Sequence, residues 1–412
     1  MNIFLFIIAA AEASFAYLLL HRAGLLDSVC KIIVSSVLLA AAFCLRICVL
    51  DYQTYDYMDF LCKWVDFFRV NGGFSALSGS IGNYNIPYLY FLAAFSYSSI
   101  PDLYLIKFLS IFFDVLLAYS AEQLLGLIRA EARPRIALFF TVLFWPTVFL
   151  NGALWGQCDS IYVALALFAV FLVLDSRPYA GMLFLALSFG FKLQAVFIIP
   201  VFAVFFFQGK IQWKHLPAFP LTYVLLVMPA VIAGRPFLDT ITLYFNQTGS
   251  IGGGLNYNSP SLFSIWDFKE VSDVAALSRI GIVAAFCFMA VILLLCFLRR
   301  KQLSDRSLLI AATLLSLGIP FLLPHMHDRY FYAADVLTLI LAFAVPALSP
   351  CALLVEFASF LGYHAYLKMQ YLFVMNCGAA ANAISLVILS VFFIRELFSD
   401  RSSLPSPEAP LS

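Results

Sequence analysis

Charge is what this chain has least of. Only 11% of its 412 residues are Asp, Glu, Lys or Arg, against about a quarter in soluble domains. That shortage excludes an ordinary water-soluble globule. The formal net charge is +1, too even a balance for a nucleic-acid-binding surface built on bulk positive charge. Cysteine occurs nine times but never as a C-x-x-C pair. Cys30, Cys44, Cys48, Cys287 and Cys296 lie within apolar runs and read as small buried residues, not as zinc ligands or a disulfide framework. The first apolar run, 2–20, lacks both a basic leading segment and a small-x-small cleavage site. It is therefore expected to be a retained helix and not a signal peptide. No internal repeat is visible.

What is present is apolar and aromatic: 63% hydrophobic, 17% Phe, Trp and Tyr, with a mean hydropathy of +0.96. This composition defines an all-α polytopic integral membrane protein. Runs long enough to cross a bilayer are expected at 3–20, 31–50, 103–126, 136–151, 159–175, 216–233, 278–298, 307–323, 331–348, 351–367 and 371–394. The stretch 180–207 is too long for one comfortable span and is broken by Lys192 and Pro200. Two half-spans meeting near Phe191–Gln194 fit it better. The expectation is about 11–13 transmembrane helices in a single domain over 1–398, followed by a Ser/Pro-rich disordered cytoplasmic tail over 399–412.

Basic residues cluster at Arg22 and Lys31, at Arg129, Arg133 and Arg135, at Lys210 and Lys214, at Arg299–Lys301 and Arg306, and at Arg395 and Arg401. If all of these are cytoplasmic, the N-terminus is outside and the C-terminus inside. The polar segments 51–101, 155–159, 234–277 and 325–329, together with Lys192, then share the outer face. Function is expected on such loops, held by a helical scaffold.

The sharpest motif is Pro324-His325-Met326-His327-Asp328-Arg329-Tyr330, set between two apolar runs. Such polar density at a membrane helix pair is costly unless it is paired or wet. Arg329 carries a planar donor fork suited to phosphate. His-x-His is also a chelating spacing, but no second His or Cys cluster supplies further zinc ligands. The first outer segment carries Asp51, Asp56, Asp59 and Asp66. From Asp59 to Phe68 the apolar residues recur at helical spacing, which predicts an amphipathic interfacial helix with its aromatic face toward the membrane. The plain reading of each acid is a solvated face or helix cap; the functional reading takes Asp56 as a general base for a sugar hydroxyl. Trp155-Gly156-Gln157-Cys158-Asp159 is either an interfacial Trp with an Asp cap or a pair of polar groups, Gln157 and Asp159, facing a cavity. Lys192 either snorkels or pairs with phosphate. Asn246-Gln247-Thr248 is a chance-prone glycosylation sequon. Gly252–Gly254 suggest a flexible cover.

Taken in order, these pieces resemble the GT-C superfamily of integral membrane glycosyltransferases. They are Asp56-Tyr57 with Phe60, Leu61 and Trp64; Gly72-Gly73; Asn83-Tyr84-Asn85 with Pro87-Tyr88; Trp155-Gly156-Gln157 with Asp159; Lys192 with Gln194 and Pro200; and His327-Asp328-Arg329-Tyr330. Within the superfamily the chain is similar to bacterial mannosyltransferase-like proteins related to the enzyme that adds the second mannose of the GPI anchor. The resemblance implies a GT-C-like bundle and an inverting transferase of mannose or another hexose. It implies a polyprenyl-phosphate sugar as donor in place of a nucleotide sugar, and a glycan or glycolipid as acceptor; no cofactor is expected, with a metal requirement left open. By that resemblance Asp56 is the catalytic acid residue of the first long loop, with Asp51 a second possibility. Arg329, His327 and Lys192 would hold the donor phosphate; Tyr84, Gln157, Asp159, His325 and Asp328 are substrate-binding candidates. Asp328 stands where the family motif has Glu. The implied setting is a bacterial cell membrane with the site on its outer face. A transporter or flippase of lipid-linked sugars is the alternative, since it would be as apolar and aromatic.

Overall fold

A computed structural model describes residues 3–244, 254–265 and 273–398. The expected sequon, Gly252 and Gly253 of the glycine cover, and the tail 399–412 lie outside the described residues. The described chain is predominantly helical, with only two two-residue strands among the described residues. Eight of its helices are long and apolar enough to cross a membrane, or nine if one bent pair counts as a span. The protein is a multi-pass membrane protein.

The chain opens with a hairpin of α1 (Ile3–Arg22) and α2 (Val29–Ile47). Ser28 starts α2 by accepting a hydrogen bond from the Lys31 amide, the usual role of a hydroxyl at a helix start. A π-helical turn, Tyr57–Leu61, leads into α3 (Cys62–Val70). Then come α4 (Ile86–Phe95), α5 (Asp102–Gly126) and α6 (Ala132–Phe144). Pro146 starts the short α7 (Pro146–Phe149), which continues as a π-helical turn, Leu150–Trp155. Trp145 takes the extended backbone that a following proline imposes, and the chain bends by 49° at this break.

Next are α8 (Asp159–Leu174), α9 (Pro178–Phe191), α10 (Ile199–Phe207), α11 (Ala218–Ile232) and α12 (Phe237–Ile241). After the intervening loop come α13 (Val274–Leu298), α14 (Asp305–Leu322), α15 (Tyr332–Ala344), α16 (Ser349–Lys368) and α17 (Met375–Phe398). The two-residue strands β1 (Asn256–Tyr257) and β2 (Met326–His327) pair in parallel, Asn256 opposite Met326.

The centre of the bundle is α5, α8, α14 and α15. Their residues are apolar on nearly every side, as a helix surrounded by other helices requires. Four expected crossings, 159–175, the two halves of 180–207, and 331–348, are built from helices of only 10–17 residues. By length they fall below the roughly 20 residues that span a bilayer, which is why the count falls short of the expected 11–13. The chain does break at Lys192, whose extended backbone separates α9 from a 3-10 turn at Leu193–Phe197.

The expected amphipathic helix forms, but its apolar face does not turn toward the membrane. Leu61, Trp64, Val65 and Phe68 are buried, and α3 packs on α4, on the turn Gly73–Ser78 and on α5. Gly82 makes room for this. It sits at φ +66, and a Cβ there would come within 2.6 Å of the Trp64 ring.

One buried ion pair ties the N-terminal hairpin to the centre. Arg46 of α2 meets Asp114 of α5 at 3.1 Å, with both side chains excluded from solvent. The same guanidinium donates to the Leu143 carbonyl at 2.9 Å. Removing one partner leaves the other charge stranded, at a cost of about 3–5 kcal/mol, whereas replacing both with apolar groups is close to neutral. Asp114→Leu is therefore expected to lower the melting temperature in detergent well below that of the Arg46→Leu/Asp114→Leu double variant. Equal destabilisation by single and double variants would contradict this.

Candidate functional site

The elements of the bundle bring the polar segments to one end. At the start of α5, the buried Lys107 ammonium donates to the carbonyls of Val49, Leu50 and Tyr52, at 2.9, 2.9 and 2.6 Å. This pins the chain where α2 ends, so the next residues approach the core along a fixed path. Thr54 then bonds the Trp155 carbonyl at 3.4 Å and accepts from the Tyr57 amide at 3.4 Å. Asp56 follows. Its amide donates to the Tyr366 hydroxyl at 2.9 Å. Its Oδ2 accepts from Trp155 Nε1 at 2.9 Å and from Gln157 Nε2 at 2.7 Å.

Trp155 and Gln157 owe their positions to the bend at Pro146 and to Gly156, which turns the chain at φ 77. The Trp155 ring lies flat against Tyr366, with ring centres 4.0 Å apart and planes 9° apart. On its other contacts the ring meets the edge of Tyr363 and the guanidinium of Arg329 at 4.8 Å. A cation held over an indole face is favourable, more so when desolvated.

Arg329 is the hub of the site. It donates to Gln157 Oε1 and to Asp159 Oδ2 at 3.3 Å. It lies 3.9 Å from Asp56 Oδ2 and 3.6 Å from Asp328 Oδ1. Tyr84 shares the same Gln157 oxygen through its hydroxyl at 2.9 Å. Asp159, fully buried, uses its other oxygen to bind Lys192 and accepts from Asn151 at 2.8 Å. One carboxylate thus sets two cations side by side.

Two cavities share a wall formed by Asn83, Tyr84, His327 and Arg329. The smaller, about 320 Å³, is lined by Asp56, Trp64, Gln157, Asp328 and Tyr366. The larger, about 820 Å³, is mostly apolar, with Lys192, Gln194, Tyr257 and His325 among its lining. Its lining residues Val196 and Ile282 are also exposed on the outside of the bundle.

Of the residues singled out in the sequence, Asp56, Tyr84, Gln157, Asp328, Arg329, His327 and Lys192 border these cavities. Of the other three, two line neither cavity and one lines the larger alone. Asp51 lines neither cavity and instead accepts from Tyr104 at 2.7 Å. Asp159 lines neither, being sealed beneath the two cations it holds. His325 reaches only the larger cavity, where its ring nitrogens meet Gly254 O at 2.6 Å and Ser278 Oγ at 3.1 Å. His325 and His327 thus do not converge, and no group of three or more metal-ligating side chains occurs among the described residues.

His327 also differs in charge from a phosphate-holding cation. Burial, then the neighbouring Arg329 and Lys192, push its imidazole down to about 4. It is neutral at physiological pH and offers a hydrogen bond without a charge. Its ring stacks on Tyr257, 4.7 Å away. Sequence reasoning passed over Tyr366, Tyr363, Asn151 and Lys107. Lys107 alone carried a signal, a cation inside an apolar run. The others lie in stretches that read as plain spans.

The chain matches no family model and no curated protein.

Burial raises the Asp328 carboxyl from 3.8 to about 7, opposed by Arg329 and reinforced by Asp56 and Asp159. Between these two values the folded protein keeps the proton that the unfolded chain loses. The group's contribution to stability is therefore full below about pH 4 and is lost as pH rises to about 7. The melting temperature of Asp328→Asn minus that of the parent is expected to become more positive from pH 5 to pH 8. A difference that stays flat over this range would mean that Arg329 keeps Asp328 ionised.

Proposed function

We propose that this protein is an inverting hexosyltransferase with a GT-C-like bundle, moving a sugar from a polyprenyl-phosphate donor to a glycan or glycolipid acceptor on the extracytoplasmic face of a bacterial membrane. The observation that carries the reading is the juxtaposition, within one cavity, of the Asp56 carboxylate and the Arg329 guanidinium. The first is a candidate proton acceptor and the second a candidate phosphate clamp. The adjoining apolar cavity suits a prenyl chain; Arg329 stands in the wall between the two cavities and Lys192 lines the larger one.

In this reading the donor phosphate lies against Arg329 and Lys192, with His327 as a neutral hydrogen-bond partner. The donor is a phosphodiester with one negative charge. As the bond from the anomeric carbon to phosphate oxygen breaks, the departing prenyl phosphate takes the bonding pair and gains a second charge. Cations poised against that oxygen lower the barrier, because they act where charge develops. The acceptor hydroxyl attacks the opposite face of the anomeric carbon and gives its proton to Asp56. Attack from that face inverts the centre. Trp155 and Gln157, by donating to Oδ2, hold the carboxylate at one angle and leave Oδ1 to meet the acceptor. Geometry of this kind is the first requirement of a general base. Asp159 serves by holding Lys192 and Arg329 side by side, one on each carboxylate oxygen.

The decisive experiment supplies prenyl-phosphate sugar and a candidate acceptor to the purified protein and measures release of prenyl phosphate. Asp56→Asn keeps the shape but accepts no proton. Its turnover is expected to fall by about a hundred-fold to ten-thousand-fold, with donor binding retained. Movement of the lipid across vesicles without release of prenyl phosphate would mean a transporter instead.

Arg329→Lys keeps the charge but loses the flat two-pronged donor. With charge-assisted bonds contributing roughly 1.5–3 kcal/mol, donor affinity is expected to weaken about ten- to hundred-fold. Unchanged affinity would reduce Arg329 to a structural partner of Asp159 and Gln157.

A further inference from the structure

A third cavity, about 460 Å³, lies elsewhere on the molecule and is lined by Lys31, Arg129, Glu131, Ala132, Arg133 and Pro134. The start of α2, the stretch just past α5 and the start of α6 form it. Each of these elements has its other end near Asp56. The α2 helix finishes a few residues before the carbonyls held by Lys107. The α5 helix begins at Asp102, which accepts from the Tyr57 hydroxyl. The α6 helix leads into the bend before Trp155. A 25-residue α5 rises about 38 Å, so the third cavity sits at the opposite end of the bundle from the candidate site.

Three cations line it against one carboxylate. Lys31 is shared with Asp27 at 2.7 Å, and Arg129 donates through one nitrogen to the Phe343 carbonyl at 3.0 Å, its side chain making no other hydrogen bond or ion pair among the described residues. Arg133 is exposed and makes no hydrogen bond or ion pair among the described residues. The amides of Ala132 and Arg133, the first two residues of α6, lie in the same wall with no side chain capping them, while Pro134 beside them has no amide hydrogen. Helix-start amides favour an anion. Apolar surface adjoins the charge. Val34, one turn beyond Lys31 on the same side of α2, is 46% exposed, and Ile33 beside it is 58% exposed. This combination, cations at the mouth of a membrane helix with bare apolar side chains below them, matches one kind of ligand. Its head is anionic and its tails are hydrocarbon.

We propose that this cavity is a binding site for the headgroup of an anionic phospholipid, in the leaflet opposite the candidate active site. Arg129 and Arg133 hold the phosphate, with Lys31 and the start of α6 beside it, and an acyl chain runs along Val34. The site is independent of the glycosyl-transfer reading, because neither cavity of the candidate site shares a residue with it.

The test uses the full chain in mild detergent and native mass spectrometry with phosphatidylglycerol or phosphatidylcholine added. The parent protein is expected to retain phosphatidylglycerol in preference to phosphatidylcholine. Arg129→Gln/Arg133→Gln is expected to lose that preference by about tenfold or more, at roughly 1 kcal/mol for each basic residue near an anionic lipid. Arg129→Lys/Arg133→Lys should keep most of it. Arg177→Gln, at an arginine already paired with Asp175, should not change it. Equal retention of both lipids by the parent overturns the proposal, as does unchanged retention by the Gln double variant. Displacement of the lipid by millimolar inorganic phosphate would also overturn it, assigning the cavity to a soluble anion.

Discussion

The site depends on one carboxylate that never meets solvent. Asp159 holds Lys192 with one oxygen and Arg329 with the other, and it is the first residue of α8. Three separate stretches of chain, the start of α8, the break after α9 and the loop before α15, are fastened at this point. Without Asp159 the two cations would repel each other in a medium that screens little. Without the cations the carboxylate could not stay charged at that depth. The rest of the constellation is arranged around this triad. Gln157 bridges it to Asp56, Trp155 covers the guanidinium, and Tyr366 closes the back of the indole.

Class and broad architecture could be read from composition because the bilayer imposes so direct a rule. A chain this poor in charge must place its backbone in helices, and its polar residues stand out against the apolar ground. That contrast is why Asp56, Gln157, Asp328, Arg329 and Lys192 could be picked out before any coordinates. Lys192 also signalled the break in its own helix. What the contrast cannot reveal is which polar residues serve the cavity and which serve each other. Asp51 and Asp56 lie five positions apart and look alike in sequence, yet the backbone held by Lys107 turns one outward and the other inward. Asp159 looked like a residue facing a cavity because burial beneath its partners leaves no trace in the sequence. The apolar face of α3 was read as facing lipid, since periodicity reports a face but not what covers it. Tyr366 and Tyr363 were invisible for a different reason: in an aromatic-rich chain one more tyrosine carries no information until its hydroxyl has a partner.

The helical breaks are as informative as the helices. Pro146, Gly156 and the extended backbone of Lys192 each end a helix partway through the bundle. Side chains near the ends of interrupted helices converge, whereas those of uninterrupted spans run past one another. The short helices that lowered the count of full-length spans are thus the ones that deliver Asp159 and Lys192 to a common point. Irregular backbone at such depth is tolerated where it is enclosed by protein or lines a cavity, and both conditions are met here.

The candidate site carries two formal positive charges, at Lys192 and Arg329, and two formal negative ones, at Asp56 and Asp159, with Asp328 largely protonated below about pH 7. An enclosure so nearly balanced exerts little net attraction on chloride, sulfate or nucleotides in the surrounding fluid. On the reading proposed above, occupancy would be won by hydrocarbon, through the apolar cavity next to Tyr257 and Val196. For such a donor the tail would act as the admission ticket and the head as the address, so that a water-soluble mimic of the head alone would bind weakly and a lipidated one strongly.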